Sequence, residues 1–117
     1  AVLREDVIRG NTQGAMYDPL DPPATVALPG RPNLKLGADF IRTAFKLPIY
    51  ETAAKYQGPA LIVHGNADRI VPYTYGERFH NIWKGSEYDY LDGFDHMFSQ
   101  NQYRLAELVA RFMAKAL

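Results

Sequence analysis

The sequence contains no cysteine, so neither a disulfide framework nor a thiolate nucleophile is available, and the expected setting is a reducing cytoplasm. It has no excess of charge, with 13 lysines and arginines against 13 aspartates and glutamates. Such a chain carries no net field to draw it towards nucleic acid or an anionic membrane surface. Long apolar runs are missing too. The longest is the four-residue stretch Ala60-Leu61-Ile62-Val63, far short of the roughly 20 residues that span a bilayer. The first residues show no signal-peptide pattern. Three histidines, His64, His80 and His96, stand outside any H-E-x-x-H or short ligand spacing, so no metal site is expected. Serine is scarce. Only Ser86 and Ser99 occur, and neither lies in the G-x-S-x-G turn that exposes a nucleophilic serine.

What is present reads as an ordinary globular composition, 47% hydrophobic and 22% charged over 117 residues, one domain or part of one. Residues 1 to about 35 collect Pro19, Pro22, Pro23, Pro29 and Pro32, which break helices and strands alike and predict loop with at most short strands. Val26-Ala27-Leu28 is expected to pair with Ala15-Met16-Tyr17 as a small hairpin. Phe40, Ile41, Ala44 and Phe45 fall at helical spacing over Gly37 to Lys46, and Pro48 suits the first turn of a second short helix ending near Tyr56.

From Gln57-Gly58-Pro59 onward the pattern changes. Ala60 to Val63 has the continuous apolar character of a strand buried on both faces. Pro72 to Trp83 follows as a helix, Glu87 to Leu91 as a second strand, and Asp92-Gly93 as its closing turn. Leu105, Leu108, Val109, Phe112 and Met113 then form the apolar stripe of a final helix, capped by Ser99 or Asn101. The class is α/β, with two parallel strands and flanking helices. Such a unit normally sits within a wider sheet, and an apolar strand left at an edge is a liability, so the rest of the sheet is expected to come from a partner.

Two loops could carry chemistry. His64-Gly65-Asn66-Ala67-Asp68 leaves the carboxyl end of the first buried strand, and Asp92-Gly93-Phe94-Asp95-His96 leaves that of the second. Sites in α/β sheets form outside such strand ends. Adjacent strands about 4.8 Å apart bring their loops within hydrogen-bonding reach, so Asp68 could orient His96, 28 positions later, and stabilise its protonated form. Asp68 by itself is more often a turn or cap residue, and a lone loop histidine is usually only solvated.

Together the two motifs resemble the α/β-hydrolase family, whose triad runs nucleophile, acid, histidine along the chain. Asp6-Val7-Ile8-Arg9-Gly10-Asn11-Thr12-Gln13-Gly14 and Leu47-Pro48-Ile49-Tyr50-Glu51 are similar to the insertion before the acid loop in bacterial cinnamoyl and feruloyl esterases. The resemblance covers essentially the whole chain. It implies the C-terminal part of an α/β-hydrolase fold, with residues 1–57 as an inserted lid over the acyl pocket and 58–117 as the last strand-helix-strand-helix portion. The N-terminal half of the sheet would be absent, and with it the nucleophile and oxyanion hole.

The same resemblance makes Asp68 the acid and His96 the base, and calls for no metal or organic cofactor. It places Asp6 and Gln13 at the polar end of an aromatic acid. A tyrosine is expected where this chain has Phe40; the missing hydroxyl removes a hydrogen bond worth on the order of 1 kcal/mol and weakens selectivity for hydroxycinnamates. The implied partners are an ester with an aromatic or medium acyl group and the missing half of the domain. The rival readings are a prolyl-oligopeptidase-like peptidase fragment, or an inactive piece that assembles with its missing half or swaps with a second copy.

Overall fold

The computed structural model describes residues 1–117, which divide into two compact units, Ala1–Ile49 and Tyr50–Leu117. In the first, helix α1 (Val2–Arg9) turns into two short hairpins and ends on helix α2 (Ala38–Lys46). Its core consists of Val7, Ala15, Val26, Leu28, Ile41 and Ala44, with Tyr17, Leu36 and Phe45 packed against it. Thr12, also buried, shares a 2.6 Å hydrogen bond with the Tyr17 hydroxyl, as a buried polar group requires.

Helix α1 corrects the expectation of loop at the start of the chain. It has no side-chain cap and buries Val7 alone, so its apolar periodicity is too faint to register. Gly10 ends it in the left-handed conformation, φ 70°. A Cβ at Gly10 would lie 2.3 Å from the Tyr17 carbonyl oxygen, so the site demands glycine for room as well as conformation.

The hairpin pairing also differs from expectation. Strand β1 (Asn11–Thr12) pairs with β2 (Ala15–Met16), and β3 (Thr25–Leu28) with β4 (Arg31–Gly37), both antiparallel. Val26 to Leu28 thus bonds forward in sequence and not back to Ala15. Each hairpin is closed by two residues, Gln13-Gly14 and Pro29-Gly30, with positive φ at Gln13, Gly14 and Gly30. Closing a two-residue loop costs less chain entropy than the longer loop the other pairing needs.

The second unit holds the strand-helix-strand-helix order read from the sequence. Helix α3 (Ile49–Ala53) leads into β5 (Leu61–Gly65), α4 (Thr74–Ile82), β6 (Glu87–Leu91) and α5 (Gln102–Ala116). Strands β5 and β6 are parallel, registered from Leu61 opposite Glu87 to Gly65 opposite Leu91. Both α4 and α5 pack on β5. Asn101 caps α5 by accepting from the Arg104 amide at 3.1 Å; of the two cap candidates, Ser99 is engaged instead with Asp95. Trp83, just past α4, donates its ring N–H to the Ala53 carbonyl at 2.7 Å and stacks on Phe79.

Burial of β5 departs from the sequence reading. Leu61 to His64 are half-buried and only Gly65 is buried, because β6 is the one strand that flanks β5. No helix is long and apolar enough to cross a membrane.

Candidate active site

The site forms where β5 and β6 end side by side. Gly65 and Leu91 are the last registered pair, and beyond them the two loops stay joined. The Asn66 amide donates to the Leu91 carbonyl at 3.1 Å, and the Ala67 amide to the Phe94 carbonyl at 3.0 Å. Gly65 allows this approach, since a Cβ there would lie 2.1 Å from the Phe94 oxygen.

Asp68 serves two purposes with its two oxygens. Its Oδ1 accepts from the Ile70 and Val71 amides at 2.9 and 2.8 Å, closing the turn into α4. Its Oδ2 faces His96 Nδ1 at 2.9 Å. The turn role and the histidine contact, rivals on sequence grounds, therefore coexist. The Asp68 side chain is 6% exposed and that of His96 40%. Burial is the largest single influence on the Asp68 carboxyl and pushes it up. The hydrogen bonds from Val71, His96 and Ile70 and the charge of His96 together outweigh burial, holding the group below the usual carboxylate range. An ionised carboxylate only accepts, so His96 Nδ1 is the donor and Nε2 is left to accept from another group.

His64 stands behind this pair. Its Nε2 donates to the Val71 carbonyl at 2.8 Å and lies 3.4 Å from Asp68 Oδ2, so the ring is packed and hydrogen-bonded. The histidine loop is braced by Asp95, whose Oδ1 accepts from the Met97 and Ser99 amides at 3.0 and 2.9 Å. Chiefly through the Ser99 amide, these bonds hold the Asp95 carboxyl below its ordinary value. His80 lies elsewhere, on α4, with Nδ1 2.7 Å from the Ser86 hydroxyl.

The other candidate residues belong to the first unit. Asp6 pairs with Arg9 within α1. Gln13 is exposed, with φ 51° in the β1–β2 turn. Phe40 lines an apolar hollow of about 440 Å³ together with Leu3, Arg4, Thr43, Leu47 and Ile49; Asp6 and Gln13 do not line it. No group of three or more His, Cys, Asp or Glu side chains could hold a metal ion.

What sequence reasoning missed is the bracing around the pair: Asn66, Gly65, and the amides of Ile70 and Val71. The signal for the last two was present, because Asp followed two and three residues on by free amides is a turn pattern. Nothing in sequence marks Asn66, whose partners lie 26 and 27 positions away.

Neither a protein-family model nor a curated protein sequence matches the chain. Solved structures do. Est1E from Butyrivibrio proteoclasticus superposes with a TM-score of 0.87 at 27% identity, over 99% of this chain and 47% of that one. Est1E with ferulic acid bound gives 0.85 at 27% identity, over 99% and 46%. The fold is that of an α/β-hydrolase. It spans about half the length of the hydrolase structures it matches, and its two parallel strands with flanking helices correspond to the C-terminal part of that fold.

Proposed function

We propose that the chain is the acid-and-base half of a serine carboxylesterase acting on cinnamoyl or feruloyl esters. The observation that carries the proposal is the 2.9 Å contact between Asp68 Oδ2 and His96 Nδ1 across two loops 28 residues apart. The likeness to Est1E, one of whose structures holds ferulic acid, supports the choice of substrate. In this reading residues 1–57 form the acyl-side insertion and residues 58–117 the hydrolase portion. Phe40 in the wall of the apolar hollow supports a place for an aromatic or medium acyl chain; Asp6 and Gln13 lie outside that hollow and are proposed as polar contacts on the family resemblance alone.

The chemistry follows from the proton positions. Asp68 holds the Nδ1–H tautomer of His96, so Nε2 accepts the proton of a serine hydroxyl as that oxygen attacks the ester carbonyl. The imidazolium that forms is stabilised by the adjacent carboxylate. His96 then returns the proton to the departing alcohol, leaving an acyl-enzyme. Water attacks in its turn, with His96 again taking the proton, and the free acid is released. The serine and the oxyanion-hole amides would come from the half of the domain that this chain lacks; Ser86 and Ser99 are held by His80 and by the Asp95 turn.

The test is hydrolysis of methyl ferulate and p-nitrophenyl butyrate by the chain alone and after mixing with a separately produced N-terminal half carrying a G-x-S-x-G turn, with His96→Ala as control. Activity only in the mixture, and lost with His96→Ala, is the expected result. Activity from the chain alone would mean another nucleophile. A folded complex inactive towards both esters would overturn the proposal.

A further inference from the structure

We infer that Asn66 is a positioning residue that sets the histidine loop against the acid loop, an inference that rests on reading Asp68 and His96 as a working pair. The parallel ladder stops at Gly65 and Leu91, so past that point no strand pairing holds His96 beside Asp68. Two backbone bonds, from the Asn66 amide to Leu91 and from the Ala67 amide to Phe94, continue the join, and the Asn66 side chain adds the hold nearest Asp92 and Gly93. Its Nδ2 donates to Asp92 Oδ1 at 2.7 Å, and its Oδ1 accepts from the Gly93 amide at 2.7 Å. Asn66 stands two residues before Asp68, and Gly93 three before His96, so this one planar amide joins the two loops next to the residues that must meet.

The residue type suits the role. Asparagine carries a donor and an acceptor on one short side chain. Aspartate keeps the acceptor for Gly93 but sets a second carboxylate against Asp92; alanine keeps neither bond; glutamine moves the amide outward by one methylene. Gly93 has φ 76°, a turn conformation that other residues resist. Neither bond reaches Asp68 or His96 directly, so Asn66 acts through loop placement. Both bonds are exposed, and the fold is expected to survive their loss.

The readout is which ring nitrogen of neutral His96 carries the proton, measured by imidazole ¹⁵N NMR on the 117-residue chain. Cross-strand β5–β6 contacts in the amide spectrum serve as the control for folding. The contact with Asp68 selects Nδ1–H. Asn66→Ala and Asn66→Asp are each expected to lower the Nδ1–H fraction by about twofold or more, as the pair parts. The double variant Asn66→Asp with Asp92→Asn exchanges the two partners, so that an amide at position 92 donates to a carboxylate at position 66, and is expected to restore it. If Asn66→Ala fails to fold, the aspartate variant and its rescue decide. An unchanged Nδ1–H fraction in a folded single variant, or no recovery in the double variant, overturns the inference. Because a proton's place is read and not hydrolysis, an intact lock in a protein inactive towards esters would count against the esterase reading alone.

Discussion

At the scale of the residue, Asp68 carries the most consequence because its oxygens divide their labour. One closes a turn with the Ile70 and Val71 amides and the other meets His96. Asparagine at this position can present its amide N–H to the ring and select the wrong tautomer. If the proposed esterase assembles, Asp68→Asn is therefore expected to lower its kcat by about 10⁴-fold, measured with methyl ferulate. The same group contributes to stability with a definite sign. Its folded value lies below the ordinary one, so the contribution is complete above the unfolded value, about pH 4, and is lost as pH falls through the lower folded value. Melting followed by circular dichroism is expected to show a steeper loss below about pH 4 for the native chain than for Asp68→Asn. The absence of any such difference would mean that the carboxylate is not held as its contacts imply.

At the scale of the element, the β1–β2 turn carries a conformational cost at Gln13. Gln13 sits at φ 51° in a two-residue hairpin, where glycine or asparagine is the easier choice. Gln13→Gly is expected to stabilise the first unit by up to about 1 kcal/mol in urea unfolding. If the glutamine amide contacts the acyl group, the same change weakens KM for methyl ferulate and leaves p-nitrophenyl butyrate unaffected; an equal effect on both esters would remove Gln13 from the contact set. Legibility also varied by element. Strand β6 alternates acidic residues with tyrosines and helix α5 carries a long apolar stripe, and the structure shows both where the spacing predicts. Helix α1 and strand β4 were not visible because each draws its stability from the small core around Val7 and Ile41, and the β4 sequence Arg31–Gly37 is exposed along nearly its whole length. Propensity and pattern are weak where tertiary packing decides.

At the scale of the whole molecule, the decisive facts are the 47% share of Est1E that the chain matches and the half-buried state of β5. A strand composed of leucine, isoleucine and valine normally has neighbours on both sides in a parallel sheet. A nucleophile-bearing half that pairs with β5 would therefore bury Leu61 to Val63 and stabilise this chain by mass action. Titrating such a half into the chain is expected to raise its melting temperature by several degrees, roughly 4–8 °C for each kcal/mol gained in a domain of this size. An unchanged melting temperature at saturating concentration would argue that β5 is not the joining edge.

The sequence by itself determined the strand-helix-strand-helix order of the second unit and the place of Asp68 and His96 in loops at adjacent strand ends. Apolar periodicity and turn residues are local properties that survive without knowledge of what packs where. Only the tertiary structure decided the hairpin pairing of the first unit, the double use of Asp68, and the Asn66 amide between the two loops. Each depends on groups distant in sequence arriving within about 3 Å of one another with matched donors and acceptors, and no single stretch of chain encodes that meeting.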